Sequence, residues 1–168
     1  MMAITICYPY PILILWPADQ LRGDDVPKRT ENRTWPTNHR GNLLIHAGKA
    51  KNWLRPGDLA RYPEMMFGHV VGIVDMTHCI PVTWKDEAGA LAALPNHLKW
   101  IATHVHASGP WLWVFERPRR FANPVPCRGQ QGLWECPGDW EHRICDPPEE
   151  RYEHKIRAMN LAGESWQH

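Results

Sequence analysis

The sequence has no charge imbalance, no paired-cysteine motif and no long apolar run. Nineteen Lys and Arg against eighteen Asp and Glu leave a formal charge of +1 with His neutral. Whole-chain electrostatics therefore argue for no nucleic-acid partner, and any basic footprint has to be local. The five cysteines, Cys7, Cys79, Cys127, Cys136 and Cys145, are odd in number and no pair is spaced Cys-x-x-Cys. That argues against a disulfide framework and a zinc knuckle alike. Cys136, His142 and Cys145 make the nearest approach to a ligand cluster, a weak signal, so no metal or other cofactor is expected. No stretch of about 18 apolar residues exists, so no membrane span is expected. The apolar opening MMAITICYPYPILILW lacks a basic n-region and a small-residue cleavage site, and Pro9 and Pro11 interrupt it. It reads as a first strand rather than a targeting segment. Together with the cysteine pattern this gives a reduced, cytoplasmic setting as the expectation. Also missing are the Walker loop, Gly-x-Gly-x-x-Gly, Gly-x-Ser-x-Gly and His-Glu-x-x-His. Nucleotide-triphosphate, dinucleotide and zinc-protease chemistries are left without support.

What is present is ordinary globular material of one-domain length. The 168 residues fit a single core, and 43% hydrophobic with 22% charged residues excludes a wholly disordered chain. Ten tryptophans and 16 prolines stand out, pointing to broad aromatic packing with some stacking surface. No internal repeat, low-complexity tract or linker appears.

The segment KRTENRTWPTNHRGNLLIHAGK, 28–49, is where charge and core meet. Lys28, Arg29, Arg33, Arg40 and Lys49, with His39 at lower pH, surround one carboxylate, Glu31, and one aromatic, Trp35. Thr34, Thr37 and Asn38 supply short hydrogen-bonding groups. Such a rim suits an anionic or planar polar ligand; a solvated turn rich in arginine fits the composition equally well. Alternation through 28–35 predicts a strand with Glu31, Arg33 and Trp35 on one face. Pro36 ends it, and Asn42–Ala47 is the next strand.

Elsewhere, Ala3–Tyr8 has strand character, and Ile12–Trp16 either opens a short helix with Pro11 in its first turn or extends the strand. Gly48–Leu54 reads as a weak helical turn, and Arg55–Asp58 as a turn. HVVGIVDM, 69–76, and WLWVFE, 111–116, are strands apolar on both faces, which requires a barrel or a covered sheet. Gly72 marks a bulge or a close approach. Asp75 is either a strand-end cap or a group with a catalytic role. Thr83–Asp86 has capping-box spacing before an Ala-rich helix to Leu94, with a second helical piece over Asn96–His104. His104 and His106 are placed on one strand face. Arg117–Arg120 reads as a basic turn, Asn123–Cys127 as a short edge segment and the run after Arg128 as the lead into a last strand. A terminal helix, Glu149–Leu161, carries an apolar stripe at Tyr152, Ile156 and Met159.

Three segments read together, ITICYPY, PKRTENRTWPTNHRGNLLIHAGK and GPWLWVFERPRRFANPVPCRGQQGLWEC, resemble the ASCH domain family over residues 3–136. Its members carry a Lys-x-x-Glu-x-Arg-x-Trp segment, an Arg-Gly-x-Leu strand and a closing Gly-Leu-Trp. The resemblance implies an α+β, PUA-like small β-barrel with flanking helices and a C-terminal helix. It also implies a domain over 1–146 with a helical insertion at about 83–106, and a packed helix and tail over 147–168. It further implies a cleft beside Lys-x-x-Glu-x-Arg that takes RNA, DNA or a modified nucleoside. Tyr8-Pro9-Tyr10 stands where close relatives have Gln-Pro-Trp.

On that basis the first expectation is a nucleic-acid-binding module in which Lys28, Glu31, Arg33, Trp35, Thr37, Arg40, Lys49 and Trp134 form the binding surface. The arginines and lysines would contact phosphates, and Trp35 or Trp134 would stack a base. The alternative is a hydrolase resembling N(4)-acetylcytidine amidohydrolases, or an RNA-cleaving enzyme, with Lys28, Glu31 and Asp75 as catalytic groups. Glu31 stands where that branch has its Thr, so a water-based mechanism replaces a covalent one. A partner-binding domain using the insertion is the third.

Overall fold

A computed structural model of the chain describes residues 1–82, 94–140 and 143. It is an α+β fold built on one curled, six-stranded sheet that forms a half-barrel, with few helices. The strands are β1 (Met2–Ile6), β2 (Thr30–Arg33), β3 (Gly41–Ala47), β4 (His69–Pro81), β5 (Trp111–Pro126) and β6 (Leu133–Glu135), in the spatial order β2-β5-β4-β3-β1-β6. All neighbours are antiparallel except β1 and β3, which run parallel with Thr5 beside His46. The helices are α1 (Tyr10–Leu15) and α2 (Asp58–Arg61), with 3-10 turns at Ala18–Gln20 and Asn96–Thr103.

The apolar strands are covered on both faces, as their composition requires. Ile4, Ile6, Leu43, Ile45, Val74, Met76, Trp113 and Phe115 form the inner core, capped by α1 through Ile12, Ile14 and Leu15. The short-helix reading of 12–16 is the one realised, with Pro11 in the first turn, where its missing N–H costs nothing. On the outer face, Leu44, Val70, Ile73, Phe121, Trp134 and Trp140 make a second cluster, and Leu98 and Ile101 lie on Leu112 and Val114 as a third. Gly72 serves both roles foreseen for it. A Cβ there would meet Arg119 O at 2.5 Å and Leu15 Cδ1 at 2.7 Å, and the β4–β5 register shifts beside it.

Several expectations give way. Arg117–Arg120 is not a turn and Asn123–Cys127 is not a separate edge: β5 runs through both as far as Pro126, because the first half of β4, His69 to Asp75, supplies partners along that length. The register shifts absorb the misfit, and Arg117 takes a left-handed φ of 44°. Gly48–Leu54 forms turns rather than a helix. The helical piece expected from Asn96 is present, as 3-10 over Asn96–Thr103, but His104 and His106 sit in the turn after it, not on a strand. The Thr83 capping box, the Ala-rich helix and the terminal helix lie outside the described residues.

The curl brings β2, an edge strand, round toward β1. Arg33 Nη2 donates to Thr5 O at 3.4 Å, spanning from one strand to the other, and Trp35 approaches Gly132 just before β6.

Candidate functional site

Two local constraints seat the cationic segment. Lys28 N donates to Leu13 O at 2.7 Å, tying the entry of β2 to α1, and pairing with β5 places Glu31 opposite Trp113 and Arg33 opposite Trp111. Strand alternation then directs Glu31 and Arg33 to the inner face, as the period-two pattern predicts. There one carboxylate bridges two cations. Glu31 Oε2 lies 3.1 Å from Lys28 Nζ and Glu31 Oε1 lies 3.1 Å from Arg33 Nη2. Lys28 is only 4% exposed and Glu31 9%. Lys28 Nζ also donates to Thr30 O and faces the Tyr10 ring at 5.3 Å, while the Arg33 guanidinium faces Trp113 at 5.8 Å. Desolvating three charges is costly, and a buried ion pair is a poor way to gain stability compared with apolar packing. The chain Lys28–Glu31–Arg33 is therefore the leading candidate for a functional group. Cys7, at the end of β1, senses it: burial pushes its thiol up, the Glu31 charge adds to that and Arg33 opposes it.

On the outer face, where His46 meets Trp134, lies an open groove of about 810 Å³ lined by Thr5, His46, Lys49, Arg128, Gln130 and Gln131 among others. His46 forms its floor. Its Nε2 is 3.0 Å from Cys127 O, and since a carbonyl only accepts, Nε2 carries the proton and Nδ1 is left as an acceptor. Burial holds the His46 pKa down, the Cys127 carbonyl opposes this and the charges of His69 and Lys49 reinforce it. Both His46 Nδ1 and Thr5 Oγ1 are buried without a partner, under the backbone of Gly129. Thr5 joins the two halves: its carbonyl accepts from Arg33 and its side chain lines the groove. Gly48 completes the junction, since a Cβ there would lie 3.3 Å from Cys7 Sγ.

Past Lys49, which lines the groove, the chain continues through Lys51 and Trp53. Lys51 Nζ stands 5.4 Å from the Phe67 ring and Trp53 packs against Tyr10 with centroids 6.3 Å apart. Lys49, Lys51 and Trp53 thus follow one another, and Tyr10 leads from Trp53 inward to the buried Lys28. A second open cavity, about 630 Å³, lies on another part of the surface among Arg29, Trp100, His104 and Arg117.

The structure brings together Lys28, Glu31 and Arg33, with Trp35 one step away, edge-on to Trp113 at 4.7 Å. Lys49 lines the outer groove. The others lie elsewhere. Arg40 donates to Thr37 O and His39 O within its own turn, and Thr37 N donates to Cys79 Sγ. That turn enters β3 at the end opposite Lys49, so seven strand residues, about 20 Å, separate the two cations. Asp75 pairs with Asn42 in register and sits on the outer face with Ile73, where Arg117 and Arg119 bind its carboxylate. Trp134 is buried in the outer cluster, edge-on to His46 at 5.8 Å. Sequence reasoning passed over Thr5, Cys7, Tyr10, His46, Trp53 and Arg128. Polar residues set into apolar strands, Thr5 and Cys7 in ITICY and His46 in LLIHA, were the available signal. Among the described residues no group of three or more His, Cys, Asp or Glu is placed to hold a metal, and His142 and Cys145 fall outside them. Nor, among these residues, is any helix long and apolar enough to cross a membrane.

No protein-family model matches the chain, and no match is found among curated proteins.

Proposed function

We propose that the chain is a PUA-like module of the ASCH type that binds nucleic acid. In this reading the strand's phosphates run along Lys49 and Arg128, and the polar edge of a base reaches toward Lys28, Glu31 and Arg33. One observation carries the reading: Thr5 links the two parts, its carbonyl accepting from Arg33 Nη2 while the residue itself lines the groove rimmed by Lys49 and Arg128. A chain of net charge +1 binds a polyanion only where cations are concentrated beside groups that engage bases, and this junction supplies both. Glu31 offers acceptor oxygens and Lys28 donor hydrogens within one small space, the pairing a nucleobase edge presents in reverse.

The hydrolytic reading gains no comparable support. Thr30 is fully buried and directs its hydroxyl to His106 O at 3.4 Å. Asp75 is on the far face of the sheet, held by two arginines.

Anisotropy of labelled single-stranded RNA and DNA across a salt series tests the proposal. Two or three phosphate contacts should give a log–log salt slope of about −1.4 to −2. Arg128→Ala with Lys49→Ala should reduce that slope toward zero, whereas a slope unchanged by the double substitution would remove the groove from the interface.

A further inference from the structure

Resting on this binding reading, we propose that Trp53 is the base-stacking platform of the site, and that the Lys49–Trp53 segment tracks a single strand in preference to a duplex. The tryptophans that sequence reasoning favoured for stacking are engaged: Trp35 packs edge-on against Trp113 and Trp134 is 5% exposed in the outer cluster. Trp53 is 61% exposed. Its ring is nevertheless anchored, inclined 55° against Tyr10, whose face carries the Lys28 ammonium. An aromatic fixed from one side and open to solvent on the other loses little freedom when a base stacks on it. The position is also right. Lys49 and Lys51 precede Trp53 at two-residue intervals, Lys49 lines the groove, and Tyr10 leads from Trp53 back to the buried Lys28.

The neighbouring chemistry decides between occupants. Leu59 and Met66 are exposed as well, at 51% and 40%, so a protein partner docking on apolar surface is the competing use. Cations on the Trp53 segment itself favour a polyanion. Stacking on Trp53 requires a base free of its complement, which a single strand provides and an intact duplex withholds.

The test compares wild type, Trp53→Ala, Trp53→Leu and Trp53→Phe by anisotropy at fixed salt. The probes are a short single-stranded oligonucleotide, its duplex, and an abasic strand of equal length with the same phosphates. Trp53→Ala and Trp53→Leu should weaken single-strand binding about 5- to 100-fold, while Trp53→Phe restores most of it. The abasic strand should bind all four proteins alike, the salt slope should stay constant, and the melting temperature should not move, because the side chain is largely outside the core. Unchanged single-strand affinity in Trp53→Ala, with wild-type binding still salt-dependent, overturns the platform and leaves the binding reading standing. Equal weakening on the abasic strand, or a duplex that binds as tightly as the single strand, also overturns it. Wild type that binds none of the probes at low salt removes both.

Discussion

Glu31 is the residue on which the site turns, because each of its carboxylate oxygens holds a different cation, and one of them, Lys28, is almost wholly buried. Removing the charge while keeping the shape, as in Glu31→Gln, leaves the Lys28 ammonium buried beside a neutral amide. Breaking one side of a buried pair in this way is expected to cost about 3 kcal/mol, which lowers the melting temperature by about 6–12 °C for a domain of this length. A thermal melt checks it, and an unchanged midpoint would mean that water reaches the pair. The complementary change is Lys28→Met with Glu31→Leu and Arg33→Leu, which removes all three charges together. This triple variant should melt near wild type while losing oligonucleotide affinity, since apolar replacement of buried ionic groups is commonly neutral or stabilising. The two experiments separate what the ionic chain does for the fold from what it does for a ligand.

At the scale of elements, α1 rests on the sheet at Gly72. The absence of a side chain there lets Leu15 and the Arg119 carbonyl converge. Gly72→Ala has no room to relax on the backbone side, so a loss of about 1–3 kcal/mol is expected, seen as an earlier urea midpoint with unchanged slope. The loop between β5 and β6 offers a second check. Cys127 Sγ, at its start, and Cys136 Sγ, just past β6, lie 3.6 Å apart, and burial with the Cys127 hydrogen bond pushes the Cys136 thiol up to about 12. Cys127, on the groove, should therefore meet glutathione disulfide first and Cys136 should complete the exchange. The products are one internal disulfide and two glutathione thiols; intact mass lower by two hydrogens, with the cross-link abolished in Cys136→Ser, is the expected result. The β-rich frame was legible in the sequence wherever both faces of a strand are apolar, at β4 and the first half of β5, and at Glu31 and Arg33, whose alternation is local. Legibility fails where a partner strand decides. Pro118 and the arginines around it read as a turn, yet β4 holds them in the sheet. Arg40 and Lys49 are nine residues apart in a basic run, yet β3 carries them to opposite ends of the fold. Thr5 and His46 become neighbours only through the parallel pairing of β1 with β3, which no local pattern announces.

Among the described residues, acid sensitivity resides largely in histidines distributed around the curled sheet. His46, His78, His104 and His106 all have pKa values below the ordinary value of about 6.5, with burial the leading cause in each. Positive neighbours reinforce it: His69 and Lys49 at His46, His97 and Arg40 at His78, His106, Lys28 and Arg29 at His104, and Lys28 at His106. Opposing it are Glu116 at His78, Asp25 at His106 and backbone carbonyls at His46, His104 and His106. The unfolded chain, with histidines near 6.5, takes up protons first as pH falls, so stability is complete above about pH 6.5–7 and declines as pH drops through the window below it. Asp25 adds a later stage. Burial raises its carboxyl, but the hydrogen bonds from Arg55, Tyr62 and Arg61 outweigh burial and hold it below the ordinary range. Its contribution is present above about pH 4 and is lost as pH falls further. Melting temperature against pH should therefore fall in two steps, the first beginning near neutrality and the second below about pH 4. His46→Gln should flatten the first step most, because His46 is the most buried of the four, and Asp25→Asn should flatten only the second. A melting temperature constant from pH 7.5 down to about pH 5 would show that the histidines gain protons as readily folded as unfolded, and that the groove floor at His46 is open to water.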